Sequence, residues 1–366
     1  DILDNHIVKK MQVNKDVILR YTDDKCVKNI DNDKKKEYIA DICKVYKRDE
    51  ISKSTVKYRE QYKHKHIISS LGTDVEFDFQ TTRVMAIYSV KTNNSPIELY
   101  SLCDGHLYSD ILGQKEYFIE EIEKDIEYAK NAVSIEPGKY TCILAPEVVG
   151  IFAHESFGHQ SEADLIIGDE TREKMFTIGN KIGADMLNIV DTGVEDGSGK
   201  ILYDDEGNRC TKTYLIKGGK IDGHMHISTT AASMDECITG NARAKSFEFE
   251  PIPRMTTTYI EAGNETKDEL ISKVEDGIFI ENVLHGSGMQ VFTIAPLRAY
   301  RIRNGKICEP IKVSVITGEV KDALMNIDGL SDTVELFSGN CGKMEQAPLT
   351  VGMGGPYMKV HNITVN

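Results

Sequence analysis

The chain has 366 residues, 40% of them hydrophobic, and a formal net charge of -14 at pH 7. A chain of this length and composition can bury substantial cores, which predicts two or three folded domains and excludes a disordered protein. The acidic balance argues against nucleic acid or an anionic membrane surface as the main partner, because both attract basic patches.

Cysteine usage and apolar patterning predict a cytoplasmic protein. The eight cysteines are scattered, with no CxxC pair and no dense framework, which is typical of a reducing compartment. No apolar run approaches the length that spans a membrane, and the first residues, "DILDNHIVKK", do not resemble a secretory signal. Because the chain begins with Asp1 and not with methionine, we expect the N-terminal part to be incomplete.

Residues 1–135 are predicted to form an N-terminal α/β domain. This part mixes charged helical stretches with short alternating runs such as "VEFDFQ" and "RVMAIYSV". It closes with an amphipathic helix in "YFIEEIEKDIEYAKNAVSI", where apolar side chains recur at helical spacing at Ile122, Ile126, Ala129 and Val133. The sequence "EPGK" at 136–139 breaks this pattern and marks the domain boundary.

Residues 136–366 are predicted to form a second, strand-rich domain. It opens with a short buried strand, "YTCILA", after which Pro146 is well placed to begin a helix. The runs "KTYLI", "TTTYI", "AYRIR" and "KVSVI" predict strands of an antiparallel sheet or barrel, with turns such as "GMGGP" between strands. A helix in "TKDELISKVEDGI" begins with a capping box of Thr266 and Glu269. The predicted class is therefore α+β, with a mixed α/β N-terminal part followed by a strand-rich, barrel-like C-terminal domain.

The helix that begins at Pro146 carries the segment "HESFGH" at 154–159. In the zinc-hydrolase motif His-Glu-x-x-His, histidines four residues apart lie on one helix face with the glutamate beside the metal. His159 instead follows His154 by five residues, which in a regular α-helix turns the second side chain about 140° away. Either the two histidines do not share a metal or the helix is deformed. A single π-bulge would swing His159 back, and Gly158 makes such a deformation cheap.

Two histidines need at least one further protein ligand, because catalytic zinc sites usually have three and leave the fourth position to water. The candidates are Glu162, the pair His224 and His226 in "GHMHIS", His285 and the cysteines. The spacing in "GHMHIS" would place both histidines on one face of a strand, although exposed paired histidines are more often merely solvated. Among the cysteines Cys341 is favoured, because its glycine-rich surroundings predict a loop too irregular for a core.

Four segments occur in the same order as in a known family. They are "HESFGHQSEAD", "YDDEG", "TGNARAKSFEFEPIPRM" and "CGKMEQAPLTVGMGGP". From about Pro137 to the C-terminus the chain resembles the TldD/PmbA family of metallopeptidases, and the resemblance is loose over residues 33–136. The intact HExxxH motif resembles the TldD-type members and not the PmbA or TldE-type partners, which lack it. The short segment "ENVLHGSGMQVFTIAP" departs from TldD-type chains, which carry a longer insertion there.

The resemblance implies a metal site and an activity. The family's metal ligands correspond to His154, His159 and Cys341, and its glutamate corresponds to Glu155. One Zn²⁺ per chain and hydrolysis of peptides or unfolded polypeptide are thereby implied, with Glu155 as the general base toward a metal-activated water. The family also implies a homodimer or a heterodimer with a PmbA/TldE-like subunit. Two alternatives are a non-catalytic peptide-binding subunit with a structural zinc and a metal-dependent hydrolase of non-peptide amides.

Overall fold

The computed structural model describes residues 5–20, 22, 25–92, 95–195 and 197–366. The protein is α+β, as predicted, and strand-rich, with 25% of its residues in helices and 43% in strands. The chain forms two compact units. The smaller unit comprises Asp16–His66 and Val75–Val133, and the larger comprises Ser134–Asn366 with Ile67–Asp74 and a segment that ends at Lys15.

The helices and strands are numbered in chain order. The helices are α1 (Asn5–Lys10), α2 (Asn32–Val45), α3 (Tyr108–Ile111), α4 (Lys115–Asn131), α5 (Pro146–Ala153), α6 (Glu170–Met175), α7 (Ser228–Met234), α8 (Lys267–Ser272) and α9 (Val320–Met325). The strands are β1 (Val17–Arg20), β2 (Ile51–Ile68), β3 (Asp74–Val90), β4 (Ile97–Gly105), β5 (Val133–Ser134), β6 (Gly138–Leu144), β7 (Ile189–Thr192), β8 (Lys212–Lys217), β9 (Lys220–Ile221), β10 (Ala242–Arg243), β11 (Ile252–Pro253), β12 (Thr257–Ile260), β13 (Asp276–Gly288), β14 (Val291–Arg303), β15 (Lys306–Lys312), β16 (Ile316–Glu319), β17 (Ile327–Leu330), β18 (Glu335–Lys343), β19 (Gln346–Gly355) and β20 (Met358–Val365). Among the described residues, no helix combines the length and the apolar character that crossing a membrane would require.

The smaller unit is a sheet with helices packed on it. Strands β1 and β2 flank β3, which also pairs with β4, and α4 packs against both α2 and β4. Ile122, Ile126 and Ala129 of α4 are buried, as predicted. The predicted continuation of this helix through Val133 is wrong, because the backbone becomes extended at Ala132 and Val133 is 49% exposed.

A closed five-strand barrel forms the framework of the larger unit. Its strands follow the order β13, β6, β20, β16 and β14, and pairing of β14 with β13 closes the ring. The predicted barrel-like character is therefore confirmed. The prediction of an antiparallel sheet or barrel did not include parallel pairs, which β6 forms with β13 and β12 forms with β19. These pairs join strands that are distant in the sequence, and local turn signals specify only the pairing of neighbouring strands.

Helix α5 lies between the barrel and a second sheet of the same unit. This six-stranded sheet has the order β18, β19, β12, β7, β8 and β9, and α5 packs against β12, β18 and β19 as well as against barrel strand β13. Pro146 occupies the start of α5, as predicted. Val148, Val149 and Phe152 are buried in the common core, where the rings of Phe152 and Phe292 lie 5.1 Å apart. The two sheets therefore fix the helix that carries the histidine motif.

Glycines allow α5 to approach the second sheet closely. The segment "GMGGP" was predicted as a turn, but its glycines belong to β19, so that prediction is wrong. A Cβ atom on Gly150 of α5 would lie 2.5 Å from the backbone nitrogen of Gly354 on β19. One on Gly352 would lie 2.6 Å from Thr257 Oγ1. These positions need glycine because neighbouring backbone and side-chain atoms fill the space, and not because the chain reverses.

We expect Gly150→Ala to destabilise the protein by about 1–3 kcal/mol, because the added methyl group must displace the backbone of β19. In a helix without this contact, the same change would stabilise by roughly 0.5–1 kcal/mol. Denaturant unfolding measures the change in the free energy of unfolding and so distinguishes destabilisation from stabilisation. Gly138→Ala is the control, since its Cβ would make an ordinary 3.4 Å contact with Tyr140. Equal effects of the two substitutions would contradict close packing of α5 on β19.

Two further predictions concern chain segments around the barrel. The capping box is confirmed: Thr266 donates its backbone N–H to Glu269 Oε2 at 2.7 Å, and Glu269 donates its N–H to Thr266 Oγ1 at 3.2 Å. The strand predicted in "KVSVI" is wrong, because β15 ends at Lys312 and β16 begins at Ile316. Between them, the N–H groups of Ser314 and Val315 donate to the carbonyl of Asn366 and not to a sheet.

Candidate metal centre

Helix α5 continues directly into a π-helical turn at His154–Gly158. The N–H of His159 donates to the carbonyl of His154, five residues earlier, which is the π-helical pattern. The turn brings the two imidazole rings to a centroid distance of 4.9 Å. The predicted π-bulge is thus confirmed, and Gly158 accommodates it by leaving room beside the helix. Its φ of -54° is ordinary for a helix, and a Cβ there would collide with Met255 Sδ, so Gly158 provides space and not backbone freedom.

Cys341 lies on strand β18 and not in the loop that its glycine-rich surroundings predicted. It is 3% exposed, and its Sγ lies 3.5 Å from His159 Nε2. The buried guanidinium of Arg254 donates to the carbonyl of Cys341 at 3.1 Å and holds the strand in place. One ligand atom from each of His154, His159 and Cys341 lies within 4.8 Å of the others. The structure therefore brings together the three residues that the resemblance implied as ligands.

Glu162 lies behind His159 and orients its ring. Nδ1 of His159 donates to Glu162 Oε2 at 3.2 Å, since an ionised carboxylate can only accept. Lys343 Nζ lies 3.0 Å from the same oxygen and 2.6 Å from Asp164 Oδ1. Glu162 was a candidate third ligand, and the structure gives it this supporting position instead. Lys343 was not among the predicted site residues; it follows Cys341 by two residues, the spacing of side chains on one face of a regular strand, and both are buried.

The residues of the centre shift one another's protonation. Burial alone would raise the pKa of the Cys341 thiol, but hydrogen bonding and charge from His154 and His159 overcome it and lower the pKa to about 5. Burial alone would lower the pKa of His159, but its hydrogen bonds to Cys341 and Glu162 raise it to about 10. The pairing thus favours a thiolate at Cys341, the form of cysteine that binds metals, and a metal would have to displace the proton that His159 carries toward it.

This set of residues fits a zinc ion. Thiolate sulfur and imidazole nitrogen are the ligands that Zn²⁺ prefers, and three protein ligands leave the fourth position for water or substrate. The hydrogen bond of His159 to Glu162 follows the usual pattern in which a carboxylate fixes a ligating imidazole. Nδ1 of His154 is buried and has no hydrogen-bond partner among the described residues, which is unusual for a buried ring nitrogen without a ligand.

Glu155 follows His154 in the π-helical turn, and the three-residue cluster does not include it. It is half-buried beside β13, where a Cβ on Gly286 would lie 3.7 Å from Glu155 Cγ. Burial raises the pKa of this carboxyl, and the charges of His154 and His159 oppose the rise. Glu155 is thus next to the candidate metal ligands without being one of them.

The other histidines considered from the sequence lie elsewhere. His285 is exposed on β13 and belongs to no candidate cluster among the described residues. His224 and His226 were predicted to lie on one face of a strand, either as metal ligands or as solvated side chains. Instead they follow β9 without belonging to a strand, and they are 2% and 0% exposed. Both rings contact the carboxylate of Glu236, and this contact offsets the free-energy cost of burying them. The spacing of the two histidines does not predict that contact.

We expect Glu162→Gln to weaken zinc binding by about 10–100-fold, because the neutral amide orients His159 less strongly and makes it a weaker ligand. Competition with a chromophoric chelator measures this change. Asp164→Asn is the matched control: it removes the other carboxylate that Lys343 contacts, while the described hydrogen bond of His159 Nδ1 goes to Glu162 and not to Asp164. Equal losses in the two variants would show that the charge around Lys343, and not the orientation of His159, sets the affinity.

Two histidines on a deformed helix, a cysteine on the neighbouring strand β18 and a glutamate beside them have the composition of a metal-dependent hydrolase centre. Comparison with known proteins agrees with that class. Residues 137–366 match the family described as the PmbA/TldA metallopeptidase C-terminal domain. The chain therefore belongs to the TldD/PmbA family.

Three known proteins illustrate this relationship. A metalloprotease of Methanothermobacter thermautotrophicus is 31% identical over 340 residues, which are 90% of this chain and 73% of that protein. A zinc metalloprotease TldD homolog of Saccharolobus solfataricus is 29% identical over 86% of this chain and 71% of its own. The crystal structure of TldE from Thermococcus kodakarensis matches 89% of this chain and 72% of its own with a TM-score of 0.70. At 16% sequence identity, the last match shows a common fold alone.

Proposed function

We propose that the protein is a zinc-dependent peptidase that hydrolyses peptides or unfolded polypeptide. The observation that carries this proposal is the convergence of His154, His159 and Cys341 within 4.8 Å, with Glu155 beside them. The names of the related proteins, metalloprotease and zinc metalloprotease homolog, support the same class of activity.

Each residue of the centre has a role in this proposal. His154, His159 and Cys341 hold the ion, while Glu162 and Lys343 keep His159 in place. Zinc supplies Lewis acidity, which polarises a carbonyl and lowers the pKa of water. Glu155 accepts the proton of the attacking water and passes it to the leaving amine. The thiolate donates more charge than a third histidine would, so we expect modest turnover.

Strand β18 offers a place for an extended peptide. It lies at one edge of the six-stranded sheet and carries Cys341. A peptide that pairs with a strand edge is held by main-chain hydrogen bonds, with little dependence on its sequence. We infer that the substrate lies along β18, which would bring a scissile carbonyl beside the centre.

Incubation of the zinc-loaded protein with a mixed peptide pool, with and without a chelator, tests the proposal. A peptidase generates new peptide termini that mass spectrometry detects, and the chelator abolishes them. A peptide-binding subunit retains peptides without cutting them. A hydrolase of other amides does neither, but it releases amine from small acylated amides in a zinc-dependent reaction.

We also propose a cytoplasmic protein that forms a homodimer or pairs with a TldE-like subunit, and that binds neither nucleic acid nor a membrane. All eight cysteines, each within the described part of the chain, are free thiols, which suits a reducing compartment. The net charge of -14 disfavours polyanionic partners. The fold shared with a TldE structure supports a partner of that type. Light scattering during gel filtration, alone and after mixing with a TldE-like chain, distinguishes the two assemblies.

A further inference from the structure

A second cluster of metal-binding side chains lies in the larger unit, apart from the candidate centre. It consists of His224, His226 and Glu236, whose ligand atoms all lie within 4.8 Å of one another. Nδ1 of His224 lies 2.9 and 3.1 Å from the two carboxylate oxygens of Glu236, and Nε2 of His226 lies 3.1 Å from one of them. Both histidines therefore direct one ring nitrogen at the same carboxylate.

The far nitrogen of each ring is held by a separate partner. Nε2 of His224 donates to the carbonyl of Phe176 at 2.9 Å, and Nδ1 of His226 lies 3.1 Å from Thr230 Oγ1. Metal-ligating histidines are usually anchored in this way, through the nitrogen that does not touch the metal. The two rings are thus pre-oriented, and each presents only its near nitrogen to Glu236.

The arrangement of atoms around His224 suits a cation between its imidazole and the carboxylate of Glu236. A neutral imidazole carries one N–H, yet both nitrogens of His224 face oxygens that accept: the Phe176 carbonyl and the carboxylate of Glu236. These nitrogen and oxygen atoms are buried, since the His224 side chain is only 1% exposed. A metal cation between these atoms would be bound by both imidazoles and by the carboxylate.

The backbone at the end of α7 leaves the carboxylate of Glu236 partly exposed to solvent, while the two histidines are buried. Asp235 adopts a φ of 53° at the end of α7, and the N–H of Glu236 donates back to the carbonyl of Ala231. This reversal turns Glu236 toward the histidines and leaves its side chain 24% exposed. A cation can reach the carboxylate from solvent while the imidazoles stay buried.

We propose that His224, His226 and Glu236 form a second metal site, which binds a divalent ion of the Zn²⁺ class. Two imidazoles and one carboxylate are a ligand set that such ions accept, with no sulfur among the ligands. This inference does not depend on peptidase activity, and it raises the expected metal content from one to two ions per chain.

An ion at the second site would also help to hold the segment that orients His159 in the candidate metal centre. Met225, between the two histidines, donates its N–H to Ser161 at 2.8 Å and accepts from the N–H of Ala163 at 3.1 Å. Ser161 and Ala163 flank Glu162, which orients His159. An ion that fixes residues 224–226 against the end of α7 therefore also holds the segment that carries Glu162.

Cobalt titration of the metal-free 366-residue chain tests the proposal. The parent should bind two Co²⁺ ions, and one of them should show the near-ultraviolet charge-transfer band of a thiolate ligand. Cys341→Ala should still bind one ion, with visible d–d absorption and without the thiolate band. His226→Gln should keep the thiolate band and lose the other ion. His285→Gln, which changes an exposed histidine outside both clusters, should bind two ions like the parent.

Glu236→Gln provides a second variant, because it keeps the size and hydrogen-bonding reach of the side chain if His226→Gln fails to fold. It should lose the sulfur-free ion and keep the thiolate band. If Cys341→Ala binds no cobalt, or if Glu236→Gln binds as much as the parent, the site does not exist. Loss of thermal stability in Glu236→Gln without any sulfur-free ion in the parent would also overturn the proposal, since the cluster would then be only a buried ion pair.

Discussion

Glu155→Gln should reduce peptide cleavage by about a hundredfold to ten-thousandfold, which is the usual contribution of a general base. The glutamine keeps the size and hydrogen-bonding reach of the side chain but cannot take up the proton of water. Because the three-residue cluster does not include Glu155, zinc content should not change. Cleavage rates and metal analysis of the purified variant measure both effects.

Glu127→Gln, on the exposed surface of α4, is the matched control and should cleave peptides like the parent. A Glu155→Gln variant that cleaves as fast as the parent would show that this residue is not the base. A variant that loses its zinc as well would make Glu155 a part of the metal site, contrary to its position in the structure.

Cys341→Ala should lose both the zinc of this centre and peptide cleavage, down to the background rate. The substitution leaves only His154 and His159, and two protein ligands are fewer than catalytic zinc sites use. The loss should exceed that in Glu155→Gln, because the ion itself is absent. Zinc content per chain and cleavage of the same peptide pool give the two readouts.

Cys142→Ala removes another buried thiol, from barrel strand β6, and tests whether loss of any core sulfur has this effect. It should keep zinc at the centre, and its activity should change only as far as its stability does. Zinc retention and full activity in Cys341→Ala would remove this residue from the site. Folding of both variants is compared by circular dichroism.

The histidine motif shows how far spacing alone can predict a site. A separation of five residues is incompatible with one face of a regular helix, so a shared site for His154 and His159 required the π-helical turn that the structure contains. Cys341 was predicted as a ligand from the family resemblance and from its glycine-rich surroundings. Those surroundings were interpreted as a loop, but they form strand β18. Glycine residues occur both in turns and where two backbones pack closely. The sequence does not distinguish these cases, whereas the packing of α5 on β19 in the structure does.

Longer-range features could not be predicted for a related reason. The parallel pairing of β6 with β13 completes the barrel, but the strands are distant in sequence and no local pattern specifies their partners. Burial of His224 and His226 depends on Glu236, which lies beyond a full helix, α7. Local spacing predicts which face a side chain occupies, whereas the partner that stabilises it there is fixed by tertiary structure.

X-ray absorption at the zinc K-edge tests the central claim most directly, because it reports the atoms bound to the metal without any substrate. We expect a sulfur scatterer at about 2.3 Å together with nitrogen at about 2.0 Å in the zinc-loaded parent. The sulfur contribution should vanish in Cys341→Ala and persist in Cys142→Ala. A parent spectrum without sulfur in the first shell would contradict a centre built from His154, His159 and Cys341.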